Sequence, residues 1–384
     1  ATQDYDFITE PGKYYETHYA AIYNYNLNQG MSADAAYHAS NETLLKSTGG
    51  GLGYNVYTVP EGQYLIGRNG KLNPNATLGR KFTYNGQDYT LMPDDWMGEL
   101  YHTSLRQEYN LSIAGATEKS NTFASVGFLD NDGITDGSDM QRWTARLRAD
   151  YQAKKWLKVG ANMNYTHFNW NGASSNDEGV GDGGDVFHTA SSTAPIYPVY
   201  IRDGEGNVMI DKYGWPMYDS GDGSVWGVVR STGTQMNNLQ AIWLNQSNSE
   251  GNAFSVSGFA DFTILPGLKL TLNGSVTIDE TRSTSLQNPY YGQFAATGGI
   301  LGKYHSRTWN HNLQQLLNYN TSFGANGEHT LDILLGHETY DLSYYTLSAS
   351  KSKVFSTDNL ELNGAIIDGK ASSSYKTQYI NEGY

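Results

Sequence analysis

The sequence predicts an all-β fold, a transmembrane antiparallel β-barrel with long loops and a short helical segment near its start. Three observations carry that prediction: a turn-rich, tyrosine-heavy composition, strands in which every second residue is apolar, and connections that alternate between short and long. The 384 residues include 43 Gly, 30 Tyr and 8 Trp, with only 17% charged residues, which suits β architecture better than a helical enzyme. A formal charge of −14 and the lack of a basic stripe argue for no nucleic acid partner, which would require clustered Lys and Arg. With no cysteine, disulfides, thiolate metal sites and thiol nucleophiles are excluded. No stretch of about 18 apolar residues exists for a membrane helix, whereas barrel strands alternate and escape that criterion.

The first hundred residues differ from the rest, and we take 1–104 as a helical and irregular loop region between early barrel strands. In "TEPGKYYETHYAAIYNYN", Pro11 sits near a helix start, and Tyr15, His18, Tyr19 and Ile22 follow an amphipathic helical spacing. A second helix is expected from Ser32, an N-cap, to about Lys46. The glycines of "STGGGLGYN" follow a helix and lack a Lys-Ser or Lys-Thr, so they are not read as a phosphate loop. Residues 54 to 100 look irregular.

Strands dominate 105–384. "YNLSIAGA" sets Tyr109, Leu111 and Ile113 on one face. In "WTARLRADYQAKKWLKVGANMNY", Trp143, Ala145, Leu147, Ala149 and Tyr151 alternate with Thr144, Arg146, Arg148 and Asp150. The return strand repeats the pattern with Leu157, Val159, Ala161, Met163 and Tyr165. A soluble sandwich would look the same over one hairpin. Phe254 to Ile264 and, after "LPG", Leu268 to Ile278 alternate over longer runs. "RTWNHNLQQLLNYNTSF" and "TLDILLGHETYDL" follow. Connections near 117–120, 152–155, 265–267 and 324–328 are short, while those near 131–138, about 171–250, about 281–306 and after 341 are long. Sorting short turns to one end and long loops to the other is expected of a bacterial outer-membrane barrel. Runs of roughly 10 to 13 residues also exceed ordinary strands and match a tilted bilayer crossing. Trp143, Tyr151, Trp156, Phe168, Trp170, Trp309 and Phe323 are expected in the interfacial girdles.

The block "EYNLSIAGATEKSNTFASVGFLDNDGITDGSDMQRWTARLRADYQAKKWLKVGANMNYT", with "EPGKYYETHYAAIYN" before it and "TAPIYPVYIRDGEG" after it, resembles the SusC/RagA-like TonB-linked outer-membrane proteins of Bacteroidetes. The resemblance implies part of a 22-stranded TonB-dependent transporter barrel with an amino-terminal plug. It also implies an importer of oligosaccharides or peptides that works with a SusD-like surface lipoprotein and with TonB. The expected location is the Gram-negative outer membrane, in contact with the lipid bilayer and lipopolysaccharide. "ATQDYDFITE" has no signal-peptide pattern, and the plug domain and remaining strands are not found, so an internal piece of a longer protein is expected.

No catalytic constellation stands out, and an enzyme is not expected. "DNDGITDGSD", with Asp130, Asp132, Asp136 and Asp139, offers hard oxygen ligands for a structural calcium but lacks EF-hand order. Turn chemistry explains it equally well, as it does "DEGVGDGGD". No other cofactor or metal is expected. In "DKYGWPMYDSGDGSVWG", Trp215, Tyr218 and Trp226 lie near acids, with Trp243 further on. Aromatic faces beside polar groups hold sugar rings, so these four are the candidate substrate-binding residues; packing within a large loop is the competing explanation. The alternative function is a soluble secreted β-rich glycan-binding module or glycan-active enzyme, distinguished by solubility without detergent.

Overall fold

A computed structural model describes residues 7–172, 191–232, 237–292 and 294–384. The chain forms two compact units, one of Ala1–His102, Ser174–Asn245 and Tyr290–Ala296, the other of Thr103–Ala173, Gln246–Pro289 and Thr297–Tyr384. The first is therefore discontinuous in sequence. It takes in the long central loop as well as the opening hundred residues.

In the first unit, helix α1 (Pro11–Asn28) starts with Pro at its first turn, and α2 (Ala33–Leu44) is capped by Ser32, whose hydroxyl accepts from Ala35 N at 3.2 Å. Tyr15 and Tyr19, one turn apart on α1, are 0% and 4% exposed and enter a buried cluster with Leu44, Tyr54, Ile66, Leu91, Ile196 and Trp226. Strands β1 (Tyr57–Thr58) and β2 (Thr77–Leu78) pair, as do β3 (Arg80–Tyr84) and β4 (Gln87–Leu91), and short helices α3 (Trp96–Leu100) and α4 (Asn238–Leu244) complete the unit. The β3–β4 hairpin lies in the stretch expected to be irregular. Asn85 and Gly86, with φ of 51° and 78°, make its turn, the left-handed pair that a tight hairpin requires.

The second unit is one antiparallel sheet of nine strands, each paired with its sequence neighbour. These are β5 (Arg106–Ala116), β6 (Ser120–Asp132), β7 (Asp139–Lys154), β8 (Leu157–Asn171), β9 (Gln246–Leu265), β10 (Leu268–Gln287), β11 (Ile300–Phe323), β12 (His329–Val354) and β13 (Ala365–Gly383). Two to five residues connect strands at one end, and six or more at the other. The registers place Leu111, Val126, Ala145, Tyr165, Phe254 and Ile278 on one face, with Arg146, Asn164, Ser255 and Thr277 on the other. On the first face large apolar side chains stay exposed, including Leu111 at 72%, Ile113 at 73% and Leu313 at 49%. In water such a surface would be strongly unfavourable, and hydrocarbon removes the penalty.

Strands are longer than the alternation indicated. β10 continues nine residues past Ile278, β11 begins at Ile300 and β12 runs to Val354, so the connection expected over 281–306 shrinks to 288–299. The reason lies on the apolar face itself. Beyond Ile278 the same face carries Glu280 and Arg282, matched by Glu250 on β9 and Arg307 and His305 on β11. Arg282 pairs with Glu250 at 3.2 Å, and His305 lies 2.9 Å from Glu280. Above the apolar band both faces are polar, so no hydropathy alternation marks the upper strand. Two girdle residues are corrected as well: Phe168 and Trp170 share the polar face with Arg142 and Met140, while Trp143 and Trp309 lie on the apolar one.

Candidate functional site

The first unit holds the loop aromatics. Its central loop folds on three aspartates eight residues apart, Asp203, Asp211 and Asp219. Each carboxylate accepts backbone N–H bonds from residues just ahead: Asp203 from Glu205 and Asn207, Asp211 from Tyr213 and Trp215, Asp219 from Gly221. These are aspartate turns, in which the side chain replaces a backbone acceptor. Between them the chain reverses repeatedly, bridging Arg202 to Val208, Ile210 to Pro216 and Tyr200 to Tyr218.

Asp219 is also the centre of a buried polar network. Its carboxylate accepts from Tyr54 Oη at 2.6 Å, Arg230 Nη2 at 2.9 Å and Trp226 Nε1 at 3.2 Å. The Asp219 and Arg230 side chains are 3% and 5% exposed, and the guanidinium lies over Tyr197 at 5.2 Å and Trp96 at 5.5 Å. Burial pulls the Arg230 pKa down, but the Asp219 charge and hydrogen bond outweigh it and hold the group above its ordinary value. Arg202 grips Asp94 with two nitrogens, at 3.0 and 2.5 Å, while Asp94 accepts the amides of Val199 and Tyr200. Two ion pairs therefore anchor the loop.

The four expected ligand-binding aromatics separate. Trp226 is 1% exposed, with Phe82 and Tyr89 each 6.1 Å from its ring, so it has no ring face to offer a ligand and serves the core. Tyr218 and Trp243 are brought together with rings 5.7 Å apart, and Tyr200 joins them, nearly parallel to Trp243 at 6.5 Å and 5°. Tyr200 Oη donates to Glu99 Oε2 at 2.8 Å. Burial, then the charges of Asp211 and Glu99, push the Tyr218 hydroxyl up to about 12. Trp215 belongs to a second cluster, 5.6 Å from Tyr213 and 4.8 Å from Tyr290. Lys212 lies 4.8 Å over Tyr213, and Tyr291 donates to Asp211. Burial alone would raise the Asp211 carboxyl; hydrogen bonds from Tyr291 and from the amides of Trp215 and Tyr213 hold it below its usual range. Half-buried rings beside carboxylates suit sugar or peptide binding without chemistry.

Tyr200, Tyr213 and Tyr290 escaped the sequence reading. For the first two a signal existed: the eight-residue aspartate spacing sets which residues flank each reversal. Tyr290 is distant in sequence, and nothing local to it pointed here. Of the acids considered for calcium, Asp139 accepts from Asn171 at 3.0 Å and Asp130 from Gln141 at 3.2 Å. Among the described residues no group of three potential metal ligands forms. "DEGVGDGGD" lies outside the described residues.

No family model matches the chain. TonB-dependent receptor P3 of Formosa agariphila is 22% identical over 290 residues, covering 75% of this chain and 26% of the receptor. TonB-dependent receptor SusC of Bacteroides thetaiotaomicron is 24% identical over 253 residues, 64% of this chain and 24% of SusC. The chain thus spans about a quarter of the length of these relatives. A solved structure of the RagAB peptide transporter superposes with a TM-score of 0.60 at 20% identity, covering 76% of this chain and 31% of that one. The likeness to the solved transporter is one of fold. Over about a quarter of their length the chain is therefore similar to TonB-dependent receptors, and its fold corresponds to part of a TonB-dependent transporter barrel.

Proposed function

We propose that these residues supply wall and surface loops to a TonB-dependent importer that takes up oligosaccharides across the outer membrane. The observation that carries this reading is the uncovered apolar face of the nine-stranded sheet, backed by a polar face that suits a wet lumen. The loops on the long-connection side hold the ligand, Trp215 in one aromatic cluster and Tyr218 with Trp243 in the other. A SusD-like lipoprotein covers the mouth, and TonB supplies energy through the rest of the protein. The wall itself does no chemistry on its cargo. Peptide cargo is the second reading, favoured by the fold match to a peptide transporter.

The test is to extract the native protein in detergent, determine its intact mass, and identify its co-purifying partners. A mass near that of a full-length relative, with a lipoprotein attached, supports the reading. A soluble species of 42.4 kDa, alone and without detergent, overturns it. Uptake of labelled oligosaccharides and peptides by cells with and without the protein then separates the two kinds of cargo.

A further inference from the structure

A cavity of about 90 Å³ sits at the third reversal of the central loop, and all of its lining residues belong to the first compact unit. The sequence after Asp219 makes it. In "DSGDGS", Gly221 and Gly223 adopt φ of 69° and 74°, a left-handed backbone that lets the chain turn back and bridge Asp222 to Val229. Met217 and Val225 give the cavity an apolar wall, while Tyr218, Asp222, Ser224 and Tyr291 give it a polar one. Behind it the Asp219 carboxylate is held by Tyr54, Arg230 and Trp226, which fixes the floor.

The polar wall keeps hydrogen-bonding capacity that the loop does not use. The half-buried Tyr218 hydroxyl makes no hydrogen bond among the described residues, so it is a donor without an acceptor. Asp222 Oδ1 accepts both the amide and the hydroxyl of Ser224, at 2.9 and 2.7 Å, which leaves Oδ2 as an acceptor. Tyr291 gives its proton to Asp211, and its oxygen can still accept. The space has room for about three water molecules at ~30 Å³ each, enough for a small substituent and too little for a whole sugar ring. Both aromatic clusters adjoin it. Tyr218 lies 5.7 Å from Trp243, and Tyr291 follows Tyr290, whose ring packs 4.8 Å from Trp215.

We propose that this cavity is a subsite for the acetamido group of an N-acetylated oligosaccharide whose rings stack on the flanking aromatics. The proposal rests on the importer reading and deepens it by naming the cargo class. An acetamido group carries one acceptor, one donor and a methyl, and the cavity answers each. The Tyr218 hydroxyl donates to the carbonyl, Asp222 Oδ2 or the Tyr291 oxygen accepts from the amide N–H, and the methyl meets Met217 and Val225. A hydroxyl in place of the acetamido group leaves the apolar wall uncovered and one donor or acceptor unmatched, which is how a site of this kind discriminates. An asparagine side chain offers the same amide without the methyl. The ring faces on either side favour a sugar over a peptide.

The test measures fluorescence anisotropy with the full-length native protein, using labelled chitotetraose, cellotetraose and tetra-asparagine. The two sugars share their linkage and differ at the C2 substituent, acetamido against hydroxyl. Wild type is compared with S220L, which fills the cavity from a lining serine that makes no hydrogen bond among the described residues, and with Y218F, which keeps the ring and removes the donor. Chitotetraose should bind wild type at least about tenfold tighter than cellotetraose. S220L should abolish that ratio, and Y218F should reduce it about three- to tenfold. If S220L fails to fold, Y218F decides alone. No binding of either sugar, equal binding of the two, a ratio that Y218F leaves intact, or tighter binding of tetra-asparagine overturns the subsite. The importer reading fails on different ground, through extraction as a soluble species without detergent, and the sugar ratio can be measured in either case.

Discussion

Neighbouring substitutions on opposite faces of β10 give the sharpest test of the membrane assignment. From Leu268 to Ile278 the apolar face is unbroken. Ten steps at about 3.3 Å, tilted by roughly 40°, span about 25 Å, the height of an outer-membrane apolar band. Its midpoint falls at Asn273. Leu272 therefore sits near the bilayer centre on the lipid side, where it is 38% exposed, while Asn273 faces inward and donates to Gln314 at 2.8 Å. Leu272→Arg should cost about 2–4 kcal/mol, a shift of about 30-fold or more in the folded ratio. Asn273→Arg loses one partly exposed hydrogen bond and should cost under about 1 kcal/mol. Urea unfolding of the intact protein in phospholipid vesicles, followed by tryptophan fluorescence, reads both. Equal costs would refute the bilayer assignment, and a larger cost at Asn273 would mean the faces have been inverted.

Four further outcomes follow from the same geometry. Arg230→Met leaves the Asp219 carboxylate buried with an uncompensated charge, and should destabilise the loop unit by about 3–5 kcal/mol, seen as faster hydrogen exchange at Gly221 and Val199 with the strand amides unaffected. Gly160→Val places a side chain where a Cβ would already meet the Phe259 ring at 2.2 Å, so refolding yield should fall, and Phe259→Ala on the same chain should recover part of it. Trp215→Ala and Trp243→Ala should weaken cargo binding by about 1–2 kcal/mol each at unchanged thermal stability, whereas Trp226→Ala should lower stability first. Tyr218 ionises near 10 when unfolded and at about 12 when folded. Its raised value means a stabilising contribution that is complete below pH 10 and lost as pH rises to 12, which absorbance titration against Tyr218→Phe can follow.

The lower half of each strand was legible because two solvents act on it. With lipid on one side and water on the other, Leu147 and Arg148 had to differ, and the period of two followed. Upper strands meet water on both faces, so Glu280 and Arg282 follow Ile278 with no change of fold, and the pattern stops where the strand does not. Trp226 and Trp215 look alike in sequence, sharing acidic and glycine neighbours. What separates them is tertiary: Phe82 and Tyr89 arrive from more than a hundred residues away to close over one and not the other. The β3–β4 turn was readable in principle, since "YNGQ" carries the Asn-Gly pair that a tight hairpin selects.

The length of the strands beyond the charged row has a mechanical meaning. On β12, nine residue steps separate Tyr345, level with the Glu280 row, from the strand end at Val354, which is roughly 23 Å of height at barrel tilt. Backbone ladders run through that height, held cross-strand between β11 and β12 and again to β13. The rim is thus a stiff palisade of hydrogen-bonded backbone. What bends at that rim must be the connections at the top, because the hydrogen-bonded strands beneath them cannot flex independently.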